Sequence, residues 1–132
     1  MNLFMTGVLV AGLFLVGPRI ARAQAVDTTS PGPVPDSTLT TPQAIDAGRK
    51  IFHGKGTCHA CHGDKLQGGP IAPPLTGPHW RHISGTFDAI VDRITHGNPG
   101  TIMVPRPGGI TEEQVFLVAA YIYAVSHGQA RP

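Results

Sequence analysis

Two thiols and an imidazole stand together in the run Cys58-His59-Ala60-Cys61-His62, and the chain's 2 cysteines are both in it. The spacing is C-x-x-C-H, the attachment pattern of a c-type haem. Thiols three positions apart on one helical turn can each reach one vinyl group of the macrocycle and form thioether bonds. The adjacent His62 is then held on the side of the ring where iron accepts a nitrogen as proximal ligand. Read this way, the run carries one covalent haem c, with Cys58 and Cys61 as attachment points and His62 on the metal. Other chemistries of the same residues differ in what they require. A dithiol redox pair belongs near a βαβ pattern, and no strand pattern flanks this one. Structural zinc needs four ligands; Cys58, Cys61 and His62 supply three and another histidine could complete the set, so counting leaves zinc open. A disulfide between Cys58 and Cys61 would close a ring too small to stabilise much.

A six-coordinate iron needs a partner opposite His62. Of the 3 methionines, Met1 and Met5 lie in the N-terminal stretch expected to be a signal peptide, which leaves Met103 downstream of the motif. Met103 sits in Gly100-Thr101-Ile102-Met103-Val104-Pro105, where a thioether on a proline-stiffened loop is a good soft ligand, and Met/His ligation raises the reduction potential. A lone methionine is otherwise a core gap-filler. Bis-histidine ligation is the competitor, with His96 and His79 nearest to suitable positions and His53, His59, His82 and His127 as further candidates. An open sixth position would make a sensor or a peroxidase instead.

Three helices must position these groups. The first spans Pro42 to His53, with Thr41 as N-cap, Pro42 at the first helical position, and an apolar face of Ala44, Ile45, Gly48, Ile51 and Phe52; Gly54 ends it. The second spans Phe87 to His96, capped by Thr86 and stopped by Gly97 and Pro99, with Phe87, Ile90, Val91 and Ile94 as its stripe. The third runs from Glu112 to Ser126. Thr111 and Gln114 form a capping box, Ile110 can staple against Val115, and Val115, Val118, Ala119, Ile122 and Val125 line the buried face. Gly and Pro crowd the stretch between the motif and the second helix, which reads as irregular loop. Strand signals are weak throughout, so the class is all-α.

Ahead of the helices, Leu3 to Val16 is almost entirely apolar and too short for a comfortable membrane span, which suits a signal-peptide core. Ala21-Arg22-Ala23 is a small-x-small cleavage pattern; a retained N-terminal anchor is the alternative, since no Lys or Arg precedes the apolar run. The expected organisation is therefore a signal peptide over 1–23, a Pro/Ser/Thr-rich linker over 24–41, a domain over 42–128 and a tail over 129–132. Export, to a bacterial periplasm or an equivalent outer surface, agrees with covalent haem attachment. Losing Arg19 and Arg22 takes Lys plus Arg from 10 to 8, against 8 Asp plus Glu. The formal charge of +2 thus belongs to the precursor, and no basic stripe remains to bind nucleic acid. Arg49, Lys50, Lys55 and Lys65 could steer a partner, though an ordinary solvated surface is the simpler reading. A domain this small has a limited core of its own, so the haem-free chain is expected to fold poorly.

The segment from Ala47 to Ser126 resembles a monohaem class I cytochrome c. The resemblance rests on Gly48 and Phe52, the C-x-x-C-H run, Ala72-Pro73-Pro74-Leu75, Met103 followed by Pro105, and the terminal helix with Tyr121. It implies a small cytochrome c fold, with the three main helices around the haem and the first and last crossing near Gly48 and Tyr121. It also implies that a proline carbonyl, best matched by Pro73, accepts a hydrogen bond from His62, and that Trp80 holds a haem propionate or packs on the haem edge. Leu75, Phe87, Ile90, Ile94, Ile102, Val118 and Tyr121 would form the crevice. Many bacterial relatives have Met-Pro where this chain has Met103-Val104-Pro105. The implied function is one-electron transfer, with no catalytic site, between a redox-protein donor and acceptor; membrane association would come through an uncleaved N-terminus or a membrane partner. Asp64, Asp88, Asp92, Glu112 and Glu113 do not suggest a paired acid/base site. The rival readings are a peroxidase-like or gas-binding protein with an open distal site, and a haem subunit docked permanently to a larger oxidoreductase.

Overall fold

Residues 39–132 are described by a computed structural model; the segment expected to be a signal peptide and most of the Pro/Ser/Thr-rich segment lie outside the described residues. Four α-helices follow in order: α1, Pro42–His53; α2, His59–His62; α3, Phe87–His96; and α4, Glu112–Ser126, preceded by a 3-10 turn at Pro107–Gly109. The described residues contain no strand. The three long helices begin and end where the sequence signals place them. Thr41, Thr86 and Thr111 cap them alike: each hydroxyl accepts from the backbone N–H three residues on, at Ala44, Ala89 and Gln114. At Thr111 the box is reciprocal, because the Gln114 side chain accepts from the Thr111 N–H at 3.0 Å.

Helix α4 packs against both α1 and α3. The sequence marks one apolar stripe on α4, but Ala120, Tyr121, Tyr123 and Ala124 are buried as well. A helix that is apolar nearly all round is a core helix, covered on more than one side. The crossing with α1 depends on Gly48, where a Cβ would run into the Leu117 carbonyl and meet Tyr121 Cβ at 2.9 Å. Phe52 and Tyr121 meet edge to face there, centroids 5.5 Å apart. Ile110 and Val115 are both buried in the same core cluster. Both ends of the described chain are tied to this core: Leu39 and Ala130 pack against it, and the Arg49 side chain donates to the Arg131 carbonyl at 2.8 Å.

The stretch between α2 and α3 is irregular but anchored. Leu66 N–H donates to the Gly63 carbonyl and Leu75 N–H to the Leu66 carbonyl, at 3.1 and 2.8 Å. Leu66 itself is fully buried at φ 57, so its side chain is held in the core at the cost of a left-handed backbone.

Candidate functional site

The motif sits on α2, a single turn begun by Cys58. His62 N–H donates to the Cys58 carbonyl at 3.0 Å, which puts Cys58, Cys61 and His62 on one short helical segment. The turn is pinned to the end of α1 by His59, whose Nδ1 lies 3.3 Å from the Phe52 carbonyl. Both cysteines are free thiols and both line the same cavity. Burial pushes the Cys58 thiol up to about 11, so it is uncharged at neutral pH.

His62 Nδ1 lies 2.9 Å from the Pro73 carbonyl oxygen. A carbonyl can only accept, so Nδ1 carries the hydrogen and Nε2 is the lone-pair nitrogen of the neutral ring. Burial holds the His62 pKa below the usual histidine range, against an opposing effect of the Pro73 carbonyl. The ring is therefore set up as a neutral nitrogen donor whose orientation is fixed from behind, the arrangement that tunes metal-bound histidines.

The cavity is about 380 Å³, and its walls are mostly apolar. Leu75, Ile90, Ile94, Ile102 and Trp80 line it, as do Pro73 and the half-buried Met103. Neither Asp nor Glu lines it. Three expected crevice residues are elsewhere: Phe87, Val118 and Tyr121 do not line the cavity. Tyr121 is fully buried in the crossing with α1, where its ring faces Phe52 rather than the motif. Ile122, one residue on, takes the wall position, because a helix turns about 100° per residue. The histidines are sorted in the same way. His82 lines the cavity with His62, whereas His96, His79, His53, His59 and His127 do not. His96 instead pairs with Asp92 at 2.9 Å on the exposed face of α3.

Three of the four cations weighed as a steering patch make local contacts, in keeping with the simpler reading of an ordinary surface. Lys50 pairs with Asp46 at 2.8 Å, Lys55 reaches Gln114 at 3.4 Å, and the Arg49 guanidinium lies over the Tyr121 ring, 5.5 Å from its centroid. Among the described residues no three His, Cys, Asp or Glu side chains gather closely enough to hold a metal ion by themselves.

Sequence reasoning missed Arg93. It lines the cavity, Nη1 and Nη2 donate to Gly97, Asn98 and His82, and its buried Nε has no partner. Its position one residue before Ile94 on the α3 stripe was the available signal. The residues present fit a covalent haem. Two free thiols face one apolar cavity, a neutral imidazole is braced by Pro73, and a buried guanidinium donor is left over for a propionate-bearing macrocycle.

Comparison with known proteins agrees. Residues 43–122 match the family described as "Cytochrome C oxidase, cbb3-type, subunit III". Cytochrome c-554(548) of Halomonas halodenitrificans is 37% identical over 67 residues, covering 50% of this chain and 81% of that protein. The CcoP subunit of the cbb3-type cytochrome c oxidase of Rubrivivax gelatinosus is 37% identical over 86 residues, 64% of this chain but only 27% of that subunit. Among solved structures, cytochrome cL of Methylophaga aminisulfidivorans superposes with a TM-score of 0.56 at 22% identity, over 64% of this chain and 54% of that one, which is a likeness of fold. Motif, braced imidazole, apolar cavity and sequence similarity converge: the chain belongs to this cbb3-type subunit III family of cytochrome c domains, and is a monohaem class I c-type cytochrome that carries haem c covalently.

Proposed function

We propose that this electron-transport cytochrome is a one-electron carrier in which His62 and Met103 are the two axial ligands, relaying electrons between redox proteins on the exported side of a membrane. One observation carries the reading: the braced His62 and the half-buried Met103 line the same apolar cavity as both motif thiols. When bound, the haem supplies the ferric–ferrous couple. The chain's own contributions are positional. Pro73 fixes the His62 tautomer, the apolar walls keep water from the ligands, and Met103 offers a soft donor from a separate loop. Reducing the motion of both donors keeps geometry nearly constant between oxidation states. Carriage rather than substrate turnover is supported by the relatives, which are named as cytochromes and as oxidase subunits.

The test is spectroscopic. The chain is expressed with a haem-attachment system, and the reduced pyridine spectrum and the ferric near-red band of iron–thioether bonding are recorded. Wild type and Met103→Ala should both show covalent haem, and only the variant should lose the band. A band that persists in Met103→Ala removes Met103 as ligand, and a wild-type ferric spectrum that lacks the band points instead to His82, the rival on the cavity wall.

A second reading is favoured by the likeness to CcoP: a haem domain held in a larger oxidoreductase rather than a diffusing carrier. Size exclusion of the native material distinguishes them, since a carrier elutes alone. No helix among the described residues is long and apolar enough to cross a membrane. Membrane association through the N-terminal segment or through a membrane-bound partner belongs to the same proposal.

A further inference from the structure

The loop that bears Met103 is tied together by hydrogen bonds of its own. Asn98 N–H donates to the Met103 carbonyl at 2.9 Å, Thr101 N–H and Oγ1 donate to the Asn98 carbonyl at 3.1 and 2.8 Å, and Met103 N–H donates to Thr101 Oγ1 at 3.2 Å. Asn98 to Met103 is thus one bonded unit, whose two ends meet at Asn98. Two of the apolar side chains here, Ile102 and its neighbour Val104, line the cavity. What holds the unit to α3 is polar. Arg93 Nη1 donates to Asn98 Oδ1 at 2.6 Å and to the Gly97 carbonyl at 3.2 Å, while Nη2 reaches the His82 carbonyl at 3.4 Å. The 2.6 Å contact is short, as expected when the donor is charged. On the far side of the loop, Arg106 N–H donates to the Ile94 carbonyl at 2.9 Å. Gly97 makes the close docking possible. It sits at φ +70, and a Cβ there would lie 2.5 Å from the Met103 carbonyl oxygen.

We propose that Arg93 and Asn98 form a clamp that holds the Met103 loop shut, and so decide how readily an external ligand displaces the methionine from the iron. They are positioning residues: neither is a metal ligand, and both act through the backbone of the loop. The chain of contact is short, from the Arg93 guanidinium to the Asn98 side chain, then from the Asn98 N–H to the carbonyl of Met103 itself. Losing the clamp leaves the thioether in place at rest but raises the fraction of molecules with the loop open. A small neutral nitrogen base competes with the thioether in that fraction. The inference rests on Met103 ligation as proposed above.

The test is imidazole binding to the ferric holoprotein at fixed pH, followed by loss of the near-red band. Asn98→Ala should keep the band without imidazole yet bind imidazole on the order of tenfold more tightly, the scale of a hydrogen bond to a charged group. Asn98→Asp keeps the acceptor and should bind no more tightly than wild type. Arg93→Gln should act in the same direction as Asn98→Ala and no less strongly, since it also removes the contacts with Gly97 and His82, and the double variant should not exceed Arg93→Gln, because the Arg93–Asn98 contact is already gone. A merely structural role for Asn98 would lower thermal stability and leave imidazole affinity where it was; that result overturns the clamp while Met103 ligation stands. If Met103→Ala itself retains the near-red band, the ligation reading fails and the clamp falls with it.

Discussion

Tyr121 is the residue whose neighbours argue most directly for a measurable outcome. Its hydroxyl is buried with no hydrogen-bond partner, and burial raises its pKa against the opposing effect of Arg49. An unpaired buried hydroxyl is a standing cost, and deleting it removes that cost without opening a large void. Tyr121→Phe should therefore raise the stability of the holoprotein by up to about 1 kcal/mol, read as a higher thermal midpoint. A drop of similar size would mean that the hydroxyl has a partner, such as a trapped water. His62 is the opposite case. Its ring has one nitrogen committed to Pro73, a pairing legible in Ala72-Pro73-Pro74-Leu75 only through resemblance to a family. Nothing in the spacing of eleven residues dictates that the carbonyl should come round to meet the ring.

At the scale of elements, the helices were legible because their ends are chemical. Three threonines capping three helices, with glycines following α1 and α3, leave few alternative boundaries. The crossing of α1 and α4 was legible only in part. Gly48 is a small residue on an apolar face, but its reason lies in the Leu117 carbonyl, 69 positions away in sequence. Gly48→Ala improves helix propensity and should nevertheless destabilise the holoprotein by about 2 kcal/mol or more, since overpacking against rigid backbone forces the helices apart. Guanidinium unfolding of the ferric protein checks the sign; a gain in stability would show that the crossing has slack. The burial of α4 all round from Val118 to Val125 and the turn of Tyr121 away from the cavity share one cause. A stripe drawn from periodicity assigns one face, whereas α4 has α1 against one side and α3 against another.

On the scale of the whole molecule, the cavity is the dominant fact. An apolar space of about 380 Å³, bounded by residues of all four helices and of the loops between them, makes much of the interior depend on what fills it. The protein core that remains is largely the packing of α4 with α1 and α3, little for a domain of this size. A Cys58→Ser/Cys61→Ser variant, which cannot attach haem, should retain helical far-ultraviolet dichroism but lose a sharp thermal transition and bind a hydrophobic dye. A cooperative transition near that of the holoprotein would sink the idea that the cofactor completes the core.

Order along the chain was enough to determine the attachment chemistry, the three long helices and the all-α class. Those depend on residue types at short fixed spacings: C-x-x-C-H, a capping threonine three residues before its donor, an apolar period of a helical turn. Tertiary structure alone decided that Ile122 and not Tyr121 faces the cavity, that His82 rather than His96 stands on its wall, and that Arg93 joins α3 to the Met103 loop. Each of these turns on the angle at which one packed element meets another. That angle is set by steric contacts such as Gly48 against Leu117, between residues far apart in the chain.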